Sequence, residues 1–441
     1  MHSVTVSPNQ RFLADARGEP FFWLADTAWS LFQDLTLAEA QHYLDVRRQQ
    51  GFNVIQAVIL SENDALHIPN ASGHLPLLGD DPARPNEYYF HHVDAVMRMA
   101  LERGLYVGLL PTWGDKVYPG GWGIGPLIFN AANARLYGQF LGERYRDMPN
   151  ILWILGGDRP AAGVEAVWDA MAEGITAGLG RQPFFTYHPN GGASSSDTLP
   201  AAPWLSMHML QSGHVHQDAP NWEMIAADLA RLPARPVLDG EPCYEDHPID
   251  PFMRSWRADY GRFTDHDVRK AAYRAVFAGA CGHTYGHHAV WQFWDYGRKP
   301  LNFPVPPWQE ALLRPGAQQM VHLKNLMLSR SYFDRIPDQT LLLDVAVPPA
   351  PSAHDPNHFH PLRAAYPAAT RSAEGEAAMV YFPLADQTLT VDLRGFGGVL
   401  SAAWFDPRTG KTHRLGEYPN TVTRFTSPLA GPDWVLLLDL D

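Results

Sequence analysis

The chain has 441 residues, which is enough for one large domain of about 250–330 residues and an additional smaller module. Hydrophobic residues make up 46% and charged residues 18% of the sequence, so a large core is expected and extensive disorder is excluded. The net charge of −13 argues against nucleic acid or an anionic membrane as a partner, because binding a polyanion requires basic patches.

The amino-terminal segment has no basic stretch followed by an apolar one, so we predict no signal peptide. No apolar run of roughly 18 residues occurs, so no membrane-spanning helix is expected. The only cysteines are Cys243 and Cys281, which excludes a disulfide scaffold and a cysteine-based zinc site. We therefore expect a cytoplasmic protein with free thiols (a secreted one only if a leader has already been removed).

Between Phe21 and about Arg330, short apolar runs rich in β-formers alternate with longer amphipathic segments, which predicts βαβ units and a parallel sheet. The predicted strands are Phe22–Asp26, Asn53–Leu60, Tyr106–Trp113, Ile151–Asp158, Phe184–His188, Leu205–Met209, Val237–Glu241 and His283–Gly286. The predicted helices are Leu37–Gln50, His91–Arg103, Asn130–Arg146, Gly163–Leu179, Trp222–Arg231, His266–Gly279 and Trp308–Leu328. Eight strands separated by helices favour an α/β fold closed into a (β/α)8 TIM barrel.

The residues at the ends of these segments support the assignment. Thr36 and Asp265 are suitable helix N-caps, and Gly51 and Gly104 stand where helices are expected to end. An open doubly wound sheet would require a glycine-rich turn after an early strand, but the sequence after Asp26 is Thr-Ala-Trp-Ser. A dinucleotide-binding fold is therefore disfavoured.

The pattern changes after Arg335, where helical periodicity stops and prolines cluster at Pro348-Pro349-Ala350-Pro351. Short alternating runs follow, separated by turn sequences such as Asp406-Pro407-Arg408-Thr409-Gly410. The predicted strands are Ala378–Phe382, Thr388–Leu393, Ala402–Phe405, Val422–Phe425 and Trp434–Asp439. We expect residues 1–335 to form the barrel and residues 336–441 to form a small antiparallel β-sandwich domain.

Two predicted barrel strands end at a carboxylate that follows a glycine. Strand 4 (Ile-Leu-Trp-Ile-Leu-Gly-Gly-Asp) ends at Asp158, and strand 7 (Pro-Val-Leu-Asp-Gly-Glu-Pro) ends at Glu241. The carboxyl ends of barrel strands form the mouth in which catalytic groups lie. Hydrolysis of a glycosidic bond needs one protonated and one ionised carboxyl, about 5–5.5 Å apart when configuration is retained. The pair therefore predicts a retaining glycoside hydrolase.

Five motifs resemble those of the apiosidase-like glycoside hydrolases: Phe-Phe-Trp-Leu-Ala-Asp-Thr-Ala-Trp at 21–29, Gly-Phe-Asn-Val-Ile-Gln at 51–56, Asn-Ile-Leu-Trp-Ile-Leu-Gly-Gly-Asp at 150–158, Gly-Glu-Pro-Cys-Tyr-Glu at 240–245 and Gly-His-Thr-Tyr-Gly-His-His-Ala-Val-Trp at 282–291. The resemblance covers the whole predicted barrel. It implies that Asp158 is the acid/base and Glu241 the nucleophile, and that the substrate is a β-linked apioside or another furanoside.

The resemblance has one departure and one extension. Most members of the wider clan A of glycoside hydrolases carry Asn-Glu after strand 4, where this chain has Gly157-Asp158, so another residue must contact the 2-hydroxyl of the sugar. The sequence Trp-Phe-Asp-Pro-Arg-Thr-Gly at 404–410 resembles the collagen-binding-like domain that often follows the barrel in these proteins.

Other polar and aromatic residues follow the predicted strands. Sugars stack their C–H faces on aromatic rings and bond to a few polar groups, so these residues would line a sugar pocket. The predicted substrate-binding residues are Asp26, Trp29, Trp113, Asp115, His188, His208, Tyr244, His287 and Trp291. Core packing is the alternative role of each tryptophan and histidine. Glu245 lies beyond strand 7 and after Pro242, so we predict a loop or supporting role for it.

Three alternatives fit the sequence less well. A metal-dependent barrel hydrolase usually carries His-x-His after strand 1, where this chain has Asp26-Thr27-Ala28, and neither His214-Val-His216 nor His287-His288 has a carboxylate at ligand spacing. A Schiff-base aldolase needs a lysine at a strand end, and Lys116 is predicted in a loop. A non-catalytic carbohydrate-binding barrel would not need both carboxyls. We expect no metal and no organic cofactor.

Overall fold

The structure of this chain, a computed structural model, describes residues 1–250, 253, 255–349 and 359–440. A hairpin of β1 (Val4–Val6) and β2 (Leu13–Asp15) precedes eight strands that alternate with helices. These strands are β3 (Trp23–Thr27), β4 (Val54–Leu60), β5 (Tyr106–Thr112), β6 (Ile151–Gly156), β7 (Phe185–His188), β8 (His208–Leu210), β9 (Val237–Asp239) and β10 (Gly282–Tyr285). Each of the eight overlaps a predicted strand.

The eight strands close into a ring. Six run parallel in the order β10-β3-β4-β5-β6-β7, and β8 and β9 form a parallel pair. The pair is joined to the six on both sides, because Ser206 N donates to Phe185 O at 2.8 Å and Cys281 N donates to Val237 O at 2.9 Å. All residues of β4 and β5 are buried, as expected for parallel strands covered on both faces. The predicted (β/α)8 TIM barrel is confirmed.

Helices cover the outside of the barrel. They are α1 (Leu31–Asp34), α2 (Leu37–Gln49), α3 (Glu87–Glu102), α4 (Ala131–Arg144), α5 (Glu165–Leu179), α6 (Asn221–Leu229), α7 (Asp265–Phe277), α8 (Trp308–Ala311) and α9 (Pro315–Leu328). Thr36 caps α2 with a complete capping box, as predicted. The cap of α7 is Thr264, and Asp265, which was predicted for this role, lies in the first turn.

The predicted helix Trp308–Leu328 is two helices, α8 and α9. The residue before a proline is disfavoured in the helical conformation, and Arg314 accordingly has an extended backbone. Pro315 then opens α9 at its first position, where a missing N–H costs nothing. The break between the two helices is therefore encoded locally.

The carboxy-terminal region is antiparallel β-structure, as predicted. A short helix, α10 (Pro361–Ala364), lies within it, and its strands are β11 (Arg335–Pro337), β12 (Leu342–Leu343), β13 (Ala368–Ser372), β14 (Ala377–Phe382), β15 (Thr388–Asp392), β16 (Leu400–Phe405), β17 (Thr412–Tyr418), β18 (Val422–Thr426) and β19 (Trp434–Leu440). One sheet has the order β11-β13-β14-β19-β16-β17 and the other β12-β15-β18. Residues of both sheets, including Phe382, Trp404 and Phe425, share one core.

Four strands of this region, β11, β12, β13 and β17, were not predicted from the sequence. β17 is an edge strand whose residues are mostly exposed, so it lacks the apolar alternation that identifies a strand packed on a core. Ala350 and Pro351 of the proline-rich segment lie outside the described residues.

The β-domain packs against the outer face of α7. Arg269 of α7 pairs with Asp433 at 2.8 Å, and both side chains are fully buried. Tyr381 donates its hydroxyl hydrogen bond to the same carboxylate, and its ring stacks on Tyr273 with centroids 5.0 Å apart. Because α7 follows the strand that leads to Glu241, the β-domain supports the wall of the barrel behind that residue.

The cysteine positions follow from the barrel register. Cys243 lies beyond the carboxyl end of β9 and Cys281 precedes β10, so the two were expected at opposite ends of the barrel and too far apart for a disulfide. Both are buried and free, which agrees with the free thiols expected from the sequence. In the described part of the chain, no helix has both the length and the apolar character needed to cross a membrane.

Candidate active site

Asp158 stands at the end of a strained turn that follows β6. Gly156, Gly157 and Asp158 all have positive φ angles, of 90°, 111° and 51°. A Cβ atom at Gly157 would lie 2.7 Å from the indole of Trp113, so only glycine fits between β6 and that ring. The double glycine therefore turns the chain sharply and brings the aspartate to the barrel mouth.

Glu241 reaches the same place from the opposite side of the barrel. It follows β9 and Gly240, where a Cβ atom would collide with the side chain of Met209. Its side chain is only 7% exposed. One carboxylate oxygen of Glu241 and one of Asp158 lie within 4.8 Å of each other. The structure thus brings together the two carboxyls that the sequence singled out.

Two histidines hold Glu241. His214 Nε2 hydrogen-bonds to Oε1 at 2.9 Å, and His188 Nε2 lies 2.9 Å from Oε2 without the alignment of a good hydrogen bond. Burial alone would raise the pKa of Glu241, but the hydrogen bonding and charge of His188 and His214 outweigh it and hold the pKa below its usual range. Glu241 is therefore an ionised carboxylate at neutral pH.

The environment of Asp158 acts in the opposite direction. Burial and the negative charge of Glu241 raise the pKa of Asp158, and a hydrogen bond from Gln211 only partly opposes them. His188 is held between the two acids, and although burial disfavours its charge, Glu241 raises its pKa. The pKa of Asp158 is thereby raised to about 6, so below that pH the pair holds one ionised and one protonated carboxyl, the division that a nucleophile and a general acid require.

The predicted aromatic residues Trp29 and Trp113 line the inner wall beside these acids. Trp113 packs on Trp29 with ring centroids 5.2 Å apart and on His188 at 5.6 Å. Trp29 meets the same imidazole edge-on at 5.4 Å. Three of the predicted binding residues therefore form one cluster, and the tryptophans fix the ring of the histidine that contacts Glu241.

Tyr244 and Trp291 complete the wall on the side of Glu241. The ring of Tyr244 lies 4.2 Å from His214, and burial together with the charge of Glu241 raises the pKa of its phenol well above the usual value. Trp291 donates its indole N–H to His288 Nδ1 at 3.3 Å. His247 connects the His214 and His288 rings, since its own ring stacks on His214 with centroids 4.5 Å apart and contacts His288 with centroids 4.4 Å apart.

Burial determines the charge of these outer histidines. It lowers the pKa of His247 well below the usual value and that of His288 to about 3. Both rings are therefore neutral and add no positive charge near Glu241.

Two other predicted binding residues lie away from this pocket. Asp26 points outward to α2, where its Oδ2 accepts from Tyr43 at 2.6 Å and from Arg47 at 2.7 Å. His287 contacts Asp246 at 3.1 Å. Alternate residues of a strand face opposite sides, so Asp26 is directed away from the barrel axis.

Asp115, Lys116 and His208 also have other partners. Asp115 pairs with Lys116 at 2.8 Å and accepts from Gly125 N at 2.9 Å, so both charges are used to hold a loop. His208 opens β8 instead of ending it, and its Nδ1 lies 3.2 Å from Ser195 Oγ. Burial lowers the pKa of His208 to about 4.

Glu245 lies outside the pocket, where its carboxylate accepts from Tyr285 at 2.6 Å and from Gly316 N at 3.3 Å. Burial raises the pKa of Glu245 to about 7. Its position agrees with the supporting role predicted for it.

Sequence analysis missed Gln211 and His214 as members of the site. Gln211 directly follows β8 and occupies the place at the strand end that was assigned to His208, because the predicted strand was set too early in the sequence. His214 was considered only as a metal ligand without a carboxylate, and its carboxylate is Glu241, 27 residues away in the sequence. Only the closed barrel brings them together.

The same residues have the composition of a metal site. Asp158, His188 and Glu241 can each direct one ligand atom to a common point, and these atoms lie within 4.8 Å of one another. Two carboxylates and an imidazole suit several divalent ions. The arrangement therefore leaves a metal-dependent hydrolase as the second chemistry to test.

Comparisons with known proteins agree with this architecture. Residues 7–334 match the sequence model of the family described as "Apiosidase-like, catalytic domain", and residues 358–439 match "Putative collagen-binding domain of a collagenase". A solved structure described as "Glycoside hydrolase" is 33% identical, with a TM-score of 0.85, over 100% of this chain and 97% of its own. A glycoside hydrolase family 5 structure from Bacteroides vulgatus ATCC 8482 is 32% identical, with a TM-score of 0.84, over 99% of this chain and 93% of its own. No curated protein sequence matches the chain.

The barrel, the paired carboxyls at its mouth and these matches together define a glycoside hydrolase, whose substrate is a carbohydrate. The catalytic-domain match covers well over half of the sequence. This chain belongs to the apiosidase-like family.

Proposed function

We propose that the protein hydrolyses a glycosidic bond with retention of configuration, with Asp158 as acid/base and Glu241 as nucleophile. The observation that carries the proposal is the approach of the two carboxyls to within 4.8 Å with their pKa values shifted in opposite directions. Retaining enzymes hold their carboxyls about 5–5.5 Å apart, whereas inverting enzymes leave about 6.5–9.5 Å for a water molecule. The short separation of these two oxygens supports the retaining mechanism over the inverting one.

The reaction has two steps. A Glu241 oxygen attacks the anomeric carbon as the bond to the leaving oxygen breaks, and Asp158 gives that oxygen its proton. Asp158, now ionised, takes a proton from water, whose oxygen attacks the anomeric carbon and displaces Glu241. His214 keeps Glu241 ionised for the first step through its 2.9 Å hydrogen bond.

The identity of the sugar is proposed from the family to which the chain belongs. The match to the apiosidase-like catalytic domain supports a β-linked apioside, or another furanoside, as the first substrate to test. Trp29 and Trp113 are buried beside the two acids, where their rings pack on each other and on His188 and so support the position of that histidine next to Glu241.

A panel of 4-nitrophenyl furanosides and pyranosides that includes the β-apioside tests the proposal. Glu241→Gln is expected to abolish turnover, whereas Glu245→Gln keeps it, because Glu245 lies outside the pocket. Proton NMR of the sugar released first should show the anomer of the substrate. A first product of inverted configuration, or full activity in Glu241→Gln, would refute the mechanism.

The metal-dependent alternative predicts a different result. If Asp158, His188 and Glu241 held a required divalent ion, treatment with EDTA would abolish hydrolysis and added Zn²⁺ or Mn²⁺ would restore it. The retaining mechanism predicts that kcat/KM is the same before and after EDTA. Loss of activity on chelation with recovery on metal addition would favour the alternative.

A further inference from the structure

The loop that follows β5 carries exposed apolar side chains at the barrel mouth. Its central sequence is Pro-Gly-Gly-Trp-Gly-Ile-Gly-Pro, residues 119–126. Trp122 is 39% exposed, and Ile124 and Leu127 are 68% and 54% exposed. An exposed indole beside a catalytic mouth is a common way to bind a sugar or another ring.

A buried arginine ties this loop to the acid Asp158. Arg159 is 3% exposed, and its guanidinium donates to Trp122 O at 2.6 Å, to Tyr118 O at 3.2 Å and to Asp158 O at 2.8 Å. One rigid side chain thus fixes the backbone of Trp122 relative to the backbone of Asp158.

Two glycines allow the loop to approach this arginine and a second buried charge. A Cβ atom at Gly121 would lie 2.8 Å from Arg159 Nη1, and one at Gly123 would lie 2.5 Å from Asp115 Oδ2. Asp115 holds the far side of the loop by accepting from Gly125 N. The glycine-rich loop is therefore fitted to its two anchors.

The indole of Trp122 faces the opposite wall of the mouth. Its ring centroid lies 6.3 Å from that of Trp291, with the ring planes at 80°. Trp291 is connected through His288, His247 and His214 to Glu241. The two indoles are therefore in edge-to-face contact, with the backbone of Trp122 tied to the acid through Arg159 and Trp291 connected to the nucleophile through the histidines.

We propose that Trp122 is the platform of a leaving-group subsite that binds a ring, either a second sugar or an aromatic aglycone. The inference rests on the proposed function, because Asp158 must stand beside the leaving oxygen to protonate it. Because Arg159 ties the backbone of Trp122 to that of Asp158, the Trp122 loop lies next to the acid, and we therefore assign Trp122 to the leaving-group side of the scissile bond. Trp122 sets the preference for what the sugar is attached to, and the inner pocket sets the preference for the sugar.

The test compares leaving groups that carry a ring with one that does not. For the sugar that the panel identifies, kcat/KM is measured with its 4-nitrophenyl glycoside, a disaccharide and the glycosyl fluoride of the same configuration. Fluoride fills no ring subsite, and kcat/KM reports the step in which the leaving group departs. Trp122→Ala is expected to lower kcat/KM about tenfold for at least one ring-bearing substrate and to leave the fluoride unchanged.

Two further variants control for the loss of a surface aromatic. Trp122→Phe retains a ring and is expected to keep most of the activity that Trp122→Ala loses. Tyr88 of α3 is also exposed, at 66%, and stacks on His74 and not on the loop. Tyr88→Ala should therefore leave kcat/KM unchanged for every substrate. The disaccharide and aryl substrates show which kind of ring is preferred.

The outcomes separate this inference from the proposed function. Suppose that the wild type hydrolyses the panel, but Trp122→Ala lowers kcat/KM equally for the ring-bearing substrates and the fluoride, or lowers it for neither. The subsite is then refuted and the proposed hydrolase function stands. If the wild type hydrolyses no glycoside and no fluoride, both fall.

Discussion

Two imidazoles, one at the end of a strand and one in a loop, control the ionisation of Glu241. His188 ends β7 and His214 follows β8, and each places its Nε2 2.9 Å from a different carboxylate oxygen. The hydrogen bond from His214 and the nearby charge of His188 favour the ionised form of Glu241, so the two rings keep the nucleophile ready to attack. His214 Nδ1 has no hydrogen-bond partner among the described residues, so only the Nε2 position of this ring is needed.

Amide variants of His214 can test whether a hydrogen-bond donor at the place of Nε2 is sufficient without the imidazole ring. The side-chain nitrogen of glutamine can occupy the place of His214 Nε2, whereas that of asparagine reaches only the place of Nδ1. We expect His214→Gln to retain most of kcat/KM and His214→Asn to lose about 10–100-fold, the value of a hydrogen bond to a charged group. Loss of the donor raises the pKa of Glu241, so the acidic limb of the pH profile should move to higher pH in His214→Asn. Equal activity in the two variants with an unmoved limb would contradict this role.

The alkaline limb belongs to Asp158. Its pKa is raised by burial and by Glu241, and only the protonated form can donate to the leaving oxygen, so kcat/KM should fall as pH rises through that pKa. In Asp158→Asn we expect a loss of about 10²–10⁴-fold and no alkaline limb, because the amide does not titrate. If the alkaline limb of the pH profile persists unchanged in Asp158→Asn, then it arises from the titration of another group.

At the scale of residues, the sequence could identify the two acids but not what surrounds them. Asp158 and Glu241 each follow an apolar strand and a glycine, which is a local pattern. Asp26 shows the opposite case. All five residues of β3 are buried, so no alternation in the sequence tells which side chains face the barrel axis, and Asp26 faces Arg47 instead.

At the scale of elements, the turn after β6 is the most constrained part of the site. Gly157 combines a φ of 111° with a 2.7 Å approach to Trp113, and the residue after it is Asp158. The turn can keep this shape only with glycine, and its shape determines where the acid stands.

Gly157→Ala tests this dependence. We expect a loss of about 1–3 kcal/mol in the free energy of unfolding from backbone strain and steric conflict. We also expect a fall in kcat of about 100-fold, because the acid is displaced. Gly163 is the matched control, because its φ is 83° and a Cβ atom placed there would meet no other atom within 4 Å. Gly163→Ala should therefore cost about 1 kcal/mol and leave kcat unchanged. Similar kcat in both variants would show that the turn does not position Asp158.

The elements were more predictable than their ends. All eight barrel strands were found, because buried strands and amphipathic helices have different periodicities. The predicted strand Leu205–Met209 begins and ends earlier than β8 does. His208 was therefore predicted at the mouth, where the structure places Gln211. β17 was missed because an exposed edge strand has no apolar face to reveal it.

At the scale of the whole molecule, the β-domain is joined to the barrel through a buried ion pair. Removing Asp433 would leave the buried guanidinium of Arg269 with only Asp265, which is 34% exposed, and Gln319 as partners. Asp433→Ala should therefore lower the free energy of unfolding by about 1.5–3 kcal/mol, the value of a hydrogen bond to a charged group, and thermal unfolding should detect this as a lower Tm. The exposed pair of Asp392 and Arg394 is the control, and Asp392→Ala should leave Tm unchanged. An unchanged Tm in Asp433→Ala would mean that this contact does not contribute to stability.

Trapping of the glycosyl-enzyme tests the central claim most directly. The 2-deoxy-2-fluoro glycoside of the hydrolysed sugar, with a good leaving group, slows the second step more than bond formation, so the intermediate accumulates. The expected result is a mass increase of one fluorosugar on the intact protein, located in the peptide that contains Glu241 and absent from Glu241→Gln. A label on any other residue would contradict the assignment of the nucleophile.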